Sequence, residues 1–390
     1  MRVFLIADNY PSSARPWTSV FVHELAYNIN TFNADTIIIS PESIFNLLKH
    51  KQLAPVFELF EGIPVYHPRY ISFSSIYLLG GVSTYRFSVK TYVNTVLRHA
   101  MRLNQYPDIC YGHFLYPSGL AAMELASYFK VPAVVALGES SFENYESNYG
   151  PAQIHKDLSK CARIIVVSNA IKKICVNRYN ISAEQINVFP NAVDDLLFCS
   201  RNQITIRKEF GLPLDRPIVI FVGHFIDRKG PLRLLEAIQC HPEIGAVFLG
   251  NGPQVPKGSQ VLFCGAVPHK EVGKWLSAAD IFVLPTLDEG SCNAVLEALA
   301  SGLPIISSDR PFNYELLDPS VAILVDPLNI KALEMAILNL LRDPSKRIAM
   351  SLVALKYARK YKIKERAGKI LNVLNDVLLG YKSRVNYGNK

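Results

Sequence analysis

Two glutamates with seven residues between them, Glu289 and Glu297, bracket a glycine-containing loop and the start of a predicted helix. The apolar run 281–284 ends at a proline and predicts a buried strand, and the helix formers of 294–300 stop at a glycine. A strand, loop and helix in this order present free backbone N–H groups and the positive end of a helix dipole to an anion. The pattern predicts a site for a phosphate-bearing ligand whose hydroxyls contact the carboxylates. The alternative is an ordinary structural unit with solvated glutamates.

A second group of polar residues lies between a predicted strand and a predicted helix, within 221–230. Gly223 allows a tight turn, and Arg228 and Lys229 bring cationic donors to the loop. Cations suit a departing diphosphate, although loop lysines are often merely solvated. The nearby stretch 250–253 has two glycines of a dinucleotide fingerprint but no third, and a proline follows them. This departure argues against a nicotinamide cofactor.

Composition excludes several classes of protein. An apolar fraction of 49% with mixed charges is typical of a globular chain, and no apolar run approaches the roughly 18 residues of a membrane span. The first eight residues predict a buried strand rather than a signal peptide. The seven cysteines include no Cys-x-x-Cys pair, which favours reduced thiols, a cytoplasmic location and no metal site.

The net charge of +8 is concentrated in 342–369, which holds ten bases and two acids. This stretch is either a solvated helical face or a patch that meets anionic lipid head groups at the inner face of a membrane. Nucleic acid is not an expected partner, because no recognised module accompanies the charge. The stretch 71–103 mixes aromatic residues with bases. It predicts either core helices with a solvated basic face, which we favour, or a membrane- or acceptor-facing helix pair.

Alternating strands and helices predict two α/β domains with mostly parallel sheets. We expect the first domain over 1–195, the second over 196–370, and a C-terminal helix or tail over 371–390 that packs back on the first domain. The turn-rich segment 190–217 marks the first boundary. A short helix is also expected at 314–317. Ligands in such folds bind at the carboxyl ends of the strands, here in a cleft between the domains.

These motifs together resemble the family 4 (group 1) retaining glycosyltransferases with the GT-B fold. The E-x7-E pattern from Glu289 to Glu297, followed by Gly302-Leu-Pro304, carries the resemblance. Short matches in the expected order support it at 221–230, 249–253, 263–265 and 280–285, and also at 167–168, 189–194, 324–327 and 365–370. A series of this kind is specific, whereas a single E-x7-E would not be.

The resemblance implies a GT-B architecture, in which two Rossmann-like domains face each other across a cleft. It also implies retaining transfer of a sugar from a nucleotide diphosphate sugar to a hydroxyl of a glycan or lipid-linked saccharide, without a metal or other cofactor, in surface polysaccharide biosynthesis. Glu289 would contact the transferred sugar, Lys229 the diphosphate, and His113 the reacting face of the sugar. The further donor-binding residues would be Gly223, His224, Arg228, Gly252, Cys264, Gly265, Val267, Gly290, Ser291, Cys292, Asn293, Ala294 and Glu297.

The chain departs from the family pattern at several positions. His224 stands where relatives have an arginine, so that either Arg228 substitutes or the histidine itself donates. Leu137 replaces the histidine of a His-Gly pair, and the loop 8–18 lacks a Gly-Gly turn. The acceptor-side candidates are Ser12, Ser13, Trp17, Gly138 and Glu139. Two rival functions are another GT-B sugar-nucleotide enzyme, such as an epimerase, and an inactive sugar-nucleotide-binding module.

Overall fold

The structure, a computed structural model, describes residues 1–73, 83–139 and 141–388. The chain forms two compact units. Unit 1 consists of Met1–Pro190 and Lys364–Lys390, and unit 2 of Asn191–Ile363. The sequence-based boundaries lie a few residues later, at 195/196 and 370/371.

The strands of the described residues are as follows: β1 Arg2–Ala7, β2 Asp35–Ile39, β3 Glu42–Ser43, β4 Phe57–Phe60, β5 Ile63–Tyr66, β6 Arg69–Tyr70, β7 Ile109–His113, β8 Ala133–Leu137, β9 Arg163–Val166, β10 Ile186–Val188, β11 Ile218–Val222, β12 Gly245–Leu249, β13 Val261–Gly265, β14 Ile281–Leu284, β15 Ile305–Ser308 and β16 Ala322–Val325.

The α-helices of the described residues are as follows: α1 Val20–Asn30, α2 Asn46–His50, α3 Thr84–Arg102, α4 Leu120–Phe129, α5 Glu143–Leu158, α6 Asn169–Asn177, α7 Gln203–Glu209, α8 Pro231–Ile238, α9 His269–Ala278, α10 Asn293–Ala300, α11 Ile330–Arg342, α12 Pro344–Ala358 and α13 Ile363–Gly388. Across the described ranges, no helical segment combines the length and the hydrophobicity that a bilayer crossing requires.

The sheet of unit 1 has the strand order β10-β9-β8-β7-β1-β2-β5-β4. Its strands are parallel except for β4, which runs antiparallel to β5. The central strands are buried along nearly their whole length, as expected for a parallel sheet covered by helices on both faces. In the register of these strands, Ala7 pairs with His113 and His113 with Ala136, so β1, β7 and β8 end at the same level.

The sheet of unit 2 has the order β13-β12-β11-β14-β15-β16, and all its pairs are parallel. Parallel strands direct their carboxyl ends to one edge, so the loops that follow β11, β12, β13 and β14 share that edge. These four loops contain the predicted donor-binding residues. The order of the sheet therefore positions the candidate site of this unit.

The structure corrects one predicted helix and adds helices that the sequence pattern did not reveal, among them α2 and α5. Residues 314–317 are not helical; a single 3-10 turn, Pro311–Asn313, precedes them. Helix α5 was not predicted, because Gly150 and Pro151 interrupt it and its buried residues do not form an apolar stripe. At Gly150 the backbone φ is +73°, a conformation that glycine adopts readily.

Helix α3 forms the larger part of the stretch 71–103 in the described residues. Its buried face consists of Ser88, Val89, Tyr92, Val93, Val96 and Ala100. Its bases Arg86, Lys90, Arg98 and Arg102 are exposed. Helix α3 therefore packs one face in the core and exposes a basic face, as both interpretations require, and our preference for a solvated face stays a prediction. Residues 74–82 of that stretch lie outside the described residues.

Candidate active site

Helix α10 begins at the carboxyl edge of the unit 2 sheet, directly behind the loop that follows β14. Cys292 occupies its N-cap position and makes no side-chain capping hydrogen bond. The first N–H groups of α10 are therefore not capped by that side chain, and they carry the positive end of the helix dipole. The Asn293 Oδ1 atom is buried at this helix end without a hydrogen-bond partner. Burial raises the pKa of the Cys292 thiol to about 12, so it is a packed thiol rather than a reactive one.

Lys229 and Glu289 form an ion pair in front of this helix end. The Lys229 ammonium donates to Glu289 Oε1, and the exposed fractions of the two side chains are only 15% and 9%. The buried Thr286 hydroxyl lies 3.1 Å from the same carboxylate oxygen. Arg228 Nη1 lies 4.0 Å from the other oxygen of Glu289 and donates to the Asp288 carbonyl at 2.6 Å. Glu289 thus forms an ion pair with Lys229, and the guanidinium of Arg228 lies nearby as a second positive charge.

The loops after β11 and β14 are joined through their backbones, which explains the fixed geometry of this pair. The Leu287 N–H donates to the Arg228 carbonyl at 2.7 Å. Gly230 has φ +78°, and a Cβ there would lie 2.5 Å from the Pro285 carbonyl oxygen. Only glycine allows this approach without displacement of the backbone.

The loop after β12 packs directly on the loop after β11. A Cβ on Gly250 would lie 1.9 Å from the Gly223 carbonyl oxygen, so this glycine serves backbone packing. The exposed His224 sits on the joined loops, with its Nδ1 atom 3.2 Å from Asn251 Oδ1. Gly252 belongs to the same loop. His224 thus lies on the joined loops with Asn251 as its neighbour, and its contact with the diphosphate stays a prediction.

Glu297 lies one turn into α10 and has a partner that the sequence did not indicate. His269 Nε2 donates to Glu297 Oε1 at 3.1 Å. His269 is the first residue of α9, and its ring packs 5.2 Å from that of Phe198. Its only sequence signal is its position two residues after the predicted donor contact Val267. Of the other predicted contacts, Cys264 and Gly265 end β13 and are partly exposed, and Gly290, Ser291 and Ala294 surround the start of α10.

His113 ends β7 in unit 1, and its environment keeps it neutral. Burial, and after it the positive charge of Arg366, lowers the pKa of His113 to about 3. Its Nδ1 atom is buried and has no hydrogen-bond partner. Arg366, on α13, is buried as well and donates to the Pro190 carbonyl at 2.8 Å. Arg366 and His113 are far apart along the chain, so no sequence pattern indicated that the charge of this arginine acts on the imidazole.

The acceptor-side candidates lie on two loops of unit 1. Ser12 is fully buried, and its hydroxyl accepts from the Arg15 N–H at 3.2 Å. The Ser13 N–H donates to Glu58 at 2.9 Å, whereas Trp17 is 63% exposed. Arg15 in turn donates to the buried Glu42, which fixes the position of the loop that follows β1. The exposed Trp17 side chain extends from this loop.

Gly138 and Glu139 follow β8. Glu139 Oε1 accepts from the Leu115 N–H at 2.8 Å, and burial raises the pKa of this carboxyl to about 7. In the described part of the chain, no group of three or more His, Cys, Asp or Glu side chains is arranged to hold a metal ion.

Models of two protein families match this chain. Glycosyl transferases group 1 covers residues 202–359, and Glycosyltransferase Family 4 covers residues 61–195. The chain belongs to the family 4 (group 1) glycosyltransferases. Both the predicted family and the predicted GT-B fold are confirmed, and the chain is a glycosyltransferase.

Curated relatives agree with this assignment. The glycosyltransferase is 29% identical over 352 residues to a glycosyltransferase assigned to teichuronic acid biosynthesis in Bacillus subtilis (strain 168), covering 86% of this chain and 88% of that protein. A D-inositol 3-phosphate glycosyltransferase of Corynebacterium glutamicum is 26% identical over 227 residues, which are 52% of this chain and 54% of that protein. The chain thus spans nearly all of the first relative and about half of the second.

Solved structures share the fold at low sequence identity. Sucrose-phosphate synthase from Thermosynechococcus elongatus superposes with a TM-score of 0.76 at 18% identity, over 97% of this chain and 100% of that chain. An Anabaena protein solved in complex with UDP gives a TM-score of 0.70 at 16% identity, over 96% and 99% of the two chains. At these identities the likeness shows the GT-B fold alone.

Proposed function

We propose that this glycosyltransferase transfers a sugar, with retention of anomeric configuration, from a nucleoside diphosphate sugar bound at the carboxyl edge of the unit 2 sheet. The observation that carries the proposal is the Lys229–Glu289 ion pair in front of the uncapped start of α10, with Glu297 one turn further along. Cationic and N–H donors there suit the diphosphate, and carboxylates suit the hydroxyls of the sugar and ribose.

The proposed role of Lys229 is compatible with its ion pair. An ammonium has three N–H donors, so it can keep its contact with Glu289 and still donate to a phosphate oxygen. The negative charge on the departing diphosphate grows as the glycosidic bond breaks, and donors that are already in position stabilise it. Arg228 and the N–H groups of α10 add to this stabilisation, and His224, at the end of the same loop edge, makes a smaller contribution.

The carboxylates of unit 2 suit binding better than covalent catalysis. Glu289 is neutralised by Lys229, and Glu297 is held by His269. A retaining hydrolase uses a nucleophilic carboxylate and a second carboxyl group about 5 Å away. We therefore propose attack of the acceptor hydroxyl on the same face of the sugar that the diphosphate leaves. Charge is supplied by side chains and the helix rather than by a metal, so activity is expected to persist in excess EDTA.

The experiment that tests this function is a binding and product assay with a panel of nucleotide sugars. Saturation at about 100 times the dissociation constant adds roughly 2.7 kcal/mol of stability, which a thermal shift detects. Proton NMR of the product then reads its anomeric configuration, and formation of an epimeric donor would reveal the epimerase rival. Lys229→Ala should lose donor binding, while Lys270→Ala, an exposed lysine of α9, should not. Absence of binding by every nucleotide sugar would refute the proposal, whereas binding without any product would favour the inactive sugar-nucleotide-binding module.

We propose further that the acceptor is a glycan or lipid-linked saccharide of surface polysaccharide synthesis, and that the enzyme works in the cytoplasm at the inner face of a membrane. The name of the Bacillus relative supports the first part. For the membrane, the exposed bases of 342–369 are Arg342, Lys346, Lys356, Arg359, Lys360, Lys364 and Lys369. Others in the stretch have structural roles: Arg366 is buried, and Arg347 donates to the Leu340 carbonyl at 2.9 Å. Flotation with anionic vesicles at low salt tests this association, and its absence would contradict it.

A further inference from the structure

The buried side chain of Thr286 contacts both of the loops that carry the Lys229–Glu289 ion pair. Its hydroxyl lies 3.1 Å from the Arg228 carbonyl, in the loop after β11, and 3.3 Å from the Asp288 carbonyl, in the loop after β14. It also lies 3.1 Å from Glu289 Oε1. One hydroxyl group is thus within hydrogen-bond distance of three acceptors of the candidate active site.

A hydroxyl has a single hydrogen to donate, and the surroundings of the three acceptors indicate which of them receives it. The Arg228 carbonyl already accepts from the Leu287 N–H at 2.7 Å, and the Asp288 carbonyl accepts from the Arg228 guanidinium at 2.6 Å. The Glu289 carboxylate is the charged acceptor of the three, and hydrogen bonds to a charged group are the stronger ones. The Thr286 hydroxyl therefore donates to Glu289 Oε1.

This hydrogen bond gives the two carboxylate oxygens of Glu289 different surroundings. The Oε1 atom accepts from both the Lys229 ammonium and the Thr286 hydroxyl. The Oε2 atom lies 4.0 Å from Arg228 Nη1, which is beyond hydrogen-bond distance. Only 9% of the Glu289 side chain is exposed, so these contacts set the rotation of its carboxylate. Oε2 is the oxygen that can accept a hydrogen bond from a ligand hydroxyl.

The end of β15 fixes the segment that carries Thr286. The Ser308 hydroxyl donates to the Thr286 carbonyl, and the Ser307 hydroxyl donates to the Leu284 carbonyl at 3.0 Å. The Asn313 side chain donates to the Ser308 carbonyl at 2.7 Å and lies 3.1 Å from the Ser307 hydroxyl. These three polar side chains are buried. The Thr286 hydroxyl is therefore held in position before any ligand binds, which is the condition for orienting another group.

We propose that Thr286 is a positioning residue that orients the Glu289 carboxylate, so that Oε2 is presented to the hydroxyls of the transferred sugar. Without the Thr286 hydroxyl the carboxylate can rotate, and both of its oxygens can then turn towards Lys229 and Arg228, which withdraws the acceptor from the sugar. The diphosphate contacts proposed for Lys229 and the start of α10 do not depend on this rotation. Thr286 should therefore affect recognition of the sugar and not that of the nucleotide. The assignment rests on the proposed function, because it deepens the role of Glu289 in that reaction.

Calorimetry on the full chain tests this role by comparing nucleotide sugars with their free nucleotides. The pairs of probes are UDP-glucose with UDP, GDP-mannose with GDP, and dTDP-glucose with dTDP. Thr286→Val keeps the shape of the side chain and removes the hydroxyl. It should weaken binding of the nucleotide sugar at least about tenfold, as expected when a hydrogen bond to a charged group is lost, and should change the affinity of the free nucleotide less than about twofold.

Two variants serve as comparisons for Thr286→Val. Thr286→Ser keeps the hydroxyl and should retain both affinities. Ser277→Ala is the matched control, because it removes a buried hydroxyl of α9 that donates to the Gly273 carbonyl at 2.8 Å. It should change neither affinity. Thr286→Ala removes the same hydroxyl as Thr286→Val and replaces that variant if it folds poorly.

A further comparison shows whether Thr286 acts through Glu289. In the Glu289→Ala background, where a nucleotide sugar still binds through its nucleotide, adding Thr286→Val should cause no further loss of affinity, because the carboxylate to be oriented is absent. Three results would each overturn the positioning role: equal losses for the nucleotide sugar and the free nucleotide, the same loss in Thr286→Ser, and an additional loss in the Glu289→Ala background.

The same titrations distinguish failure of this inference from failure of the proposed function. Wild-type protein that binds one of the nucleotide sugars, together with an unchanged affinity in Thr286→Val, refutes the role of Thr286 alone. Wild-type protein that binds none of the three nucleotide sugars and none of their nucleotides refutes the proposed function, and the role of Thr286 with it.

Discussion

The Lys229–Glu289 ion pair predicts that removing either partner alone affects stability as well as donor binding. Both side chains are largely buried, and Lys229 is the only one of the flanking cations in direct contact with the carboxylate among the described residues. Breaking a buried pair by removing one partner typically destabilises by 3–5 kcal/mol, because a buried charge is left behind. Arg228 at 4.0 Å and the Thr286 hydroxyl at 3.1 Å partly compensate, so we expect about 2–4 kcal/mol for Lys229→Ala.

Replacing both partners should separate the two roles. Lys229→Ala combined with Glu289→Ala removes the unpaired charge, so the double variant should recover most of the lost stability while donor binding stays absent. Denaturation of the full chain should show the single variant melting roughly 5–15 °C below the wild type, and calorimetry with a nucleotide sugar reads binding separately. A Lys229→Ala variant as stable as the wild type, or a double variant no more stable than the single one, would refute this reasoning.

Three further predictions concern single side chains. The His224→Arg variant should bind a nucleoside diphosphate more tightly than the wild type at mildly alkaline pH, because a guanidinium is charged at every working pH and an imidazole is not. Calorimetry measures this affinity, and an unchanged value would exclude His224 from the diphosphate site. His269→Asn should weaken binding of a nucleoside diphosphate about 3- to 20-fold, because Glu297 loses its 3.1 Å partner. The affinity of the 2′,3′-dideoxy analogue should stay unchanged, because this analogue lacks the ribose hydroxyls. Equal losses for both ligands would argue against ribose recognition by Glu297. Burial raises the pKa of Glu139 from 4.5 to about 7, so the folded state holds this proton more tightly than the unfolded state. The contribution of Glu139 to stability is therefore lost as the pH rises through this window, and Glu139→Gln should be increasingly stable relative to the wild type between pH 4.5 and about 7. A constant difference across that range in chemical denaturation would contradict the assignment.

The two parallel sheets were predictable because their strands are continuous apolar runs that end at turn-forming residues. The apolar run 281–284, for example, is strand β14, Ile281–Leu284. The helix prediction failed where a side chain forms hydrogen bonds with the nearby backbone that compete with helix formation. Next to the wrongly predicted helix 314–317, the Asn313 side chain donates to the Ser308 carbonyl at 2.7 Å, and it holds the segment as a turn instead.

The proximity of the candidate site residues was predictable only where they belong to one sequence motif. Glu289, Glu297 and the start of α10 belong to a single stretch, and Lys229 is tied to them by the family pattern. His269 and Asn251 reach the site from neighbouring loops of the same sheet edge, and their partners emerge only from side-chain geometry. A predicted order of parallel strands indicates that the loops after them lie at one edge of the sheet. It does not indicate which side chains of those loops contact each other.

The C-terminal helix has a consequence for proton transfer that follows from unit 1 alone. Helix α13 brings the buried Arg366 close enough to His113 for its charge to act on the imidazole. With a pKa of about 3, His113 stays neutral throughout the pH range in which an enzyme of this kind works. A neutral imidazole with a lowered pKa is poorly suited to act as a general acid, and as a base its driving force is small. Its proposed contact with the transferred sugar is a hydrogen bond between neutral groups. In the mechanism we propose, the proton of the acceptor hydroxyl would leave by another route, and the oxygen of the departing phosphate would be the group that gains negative charge at that moment.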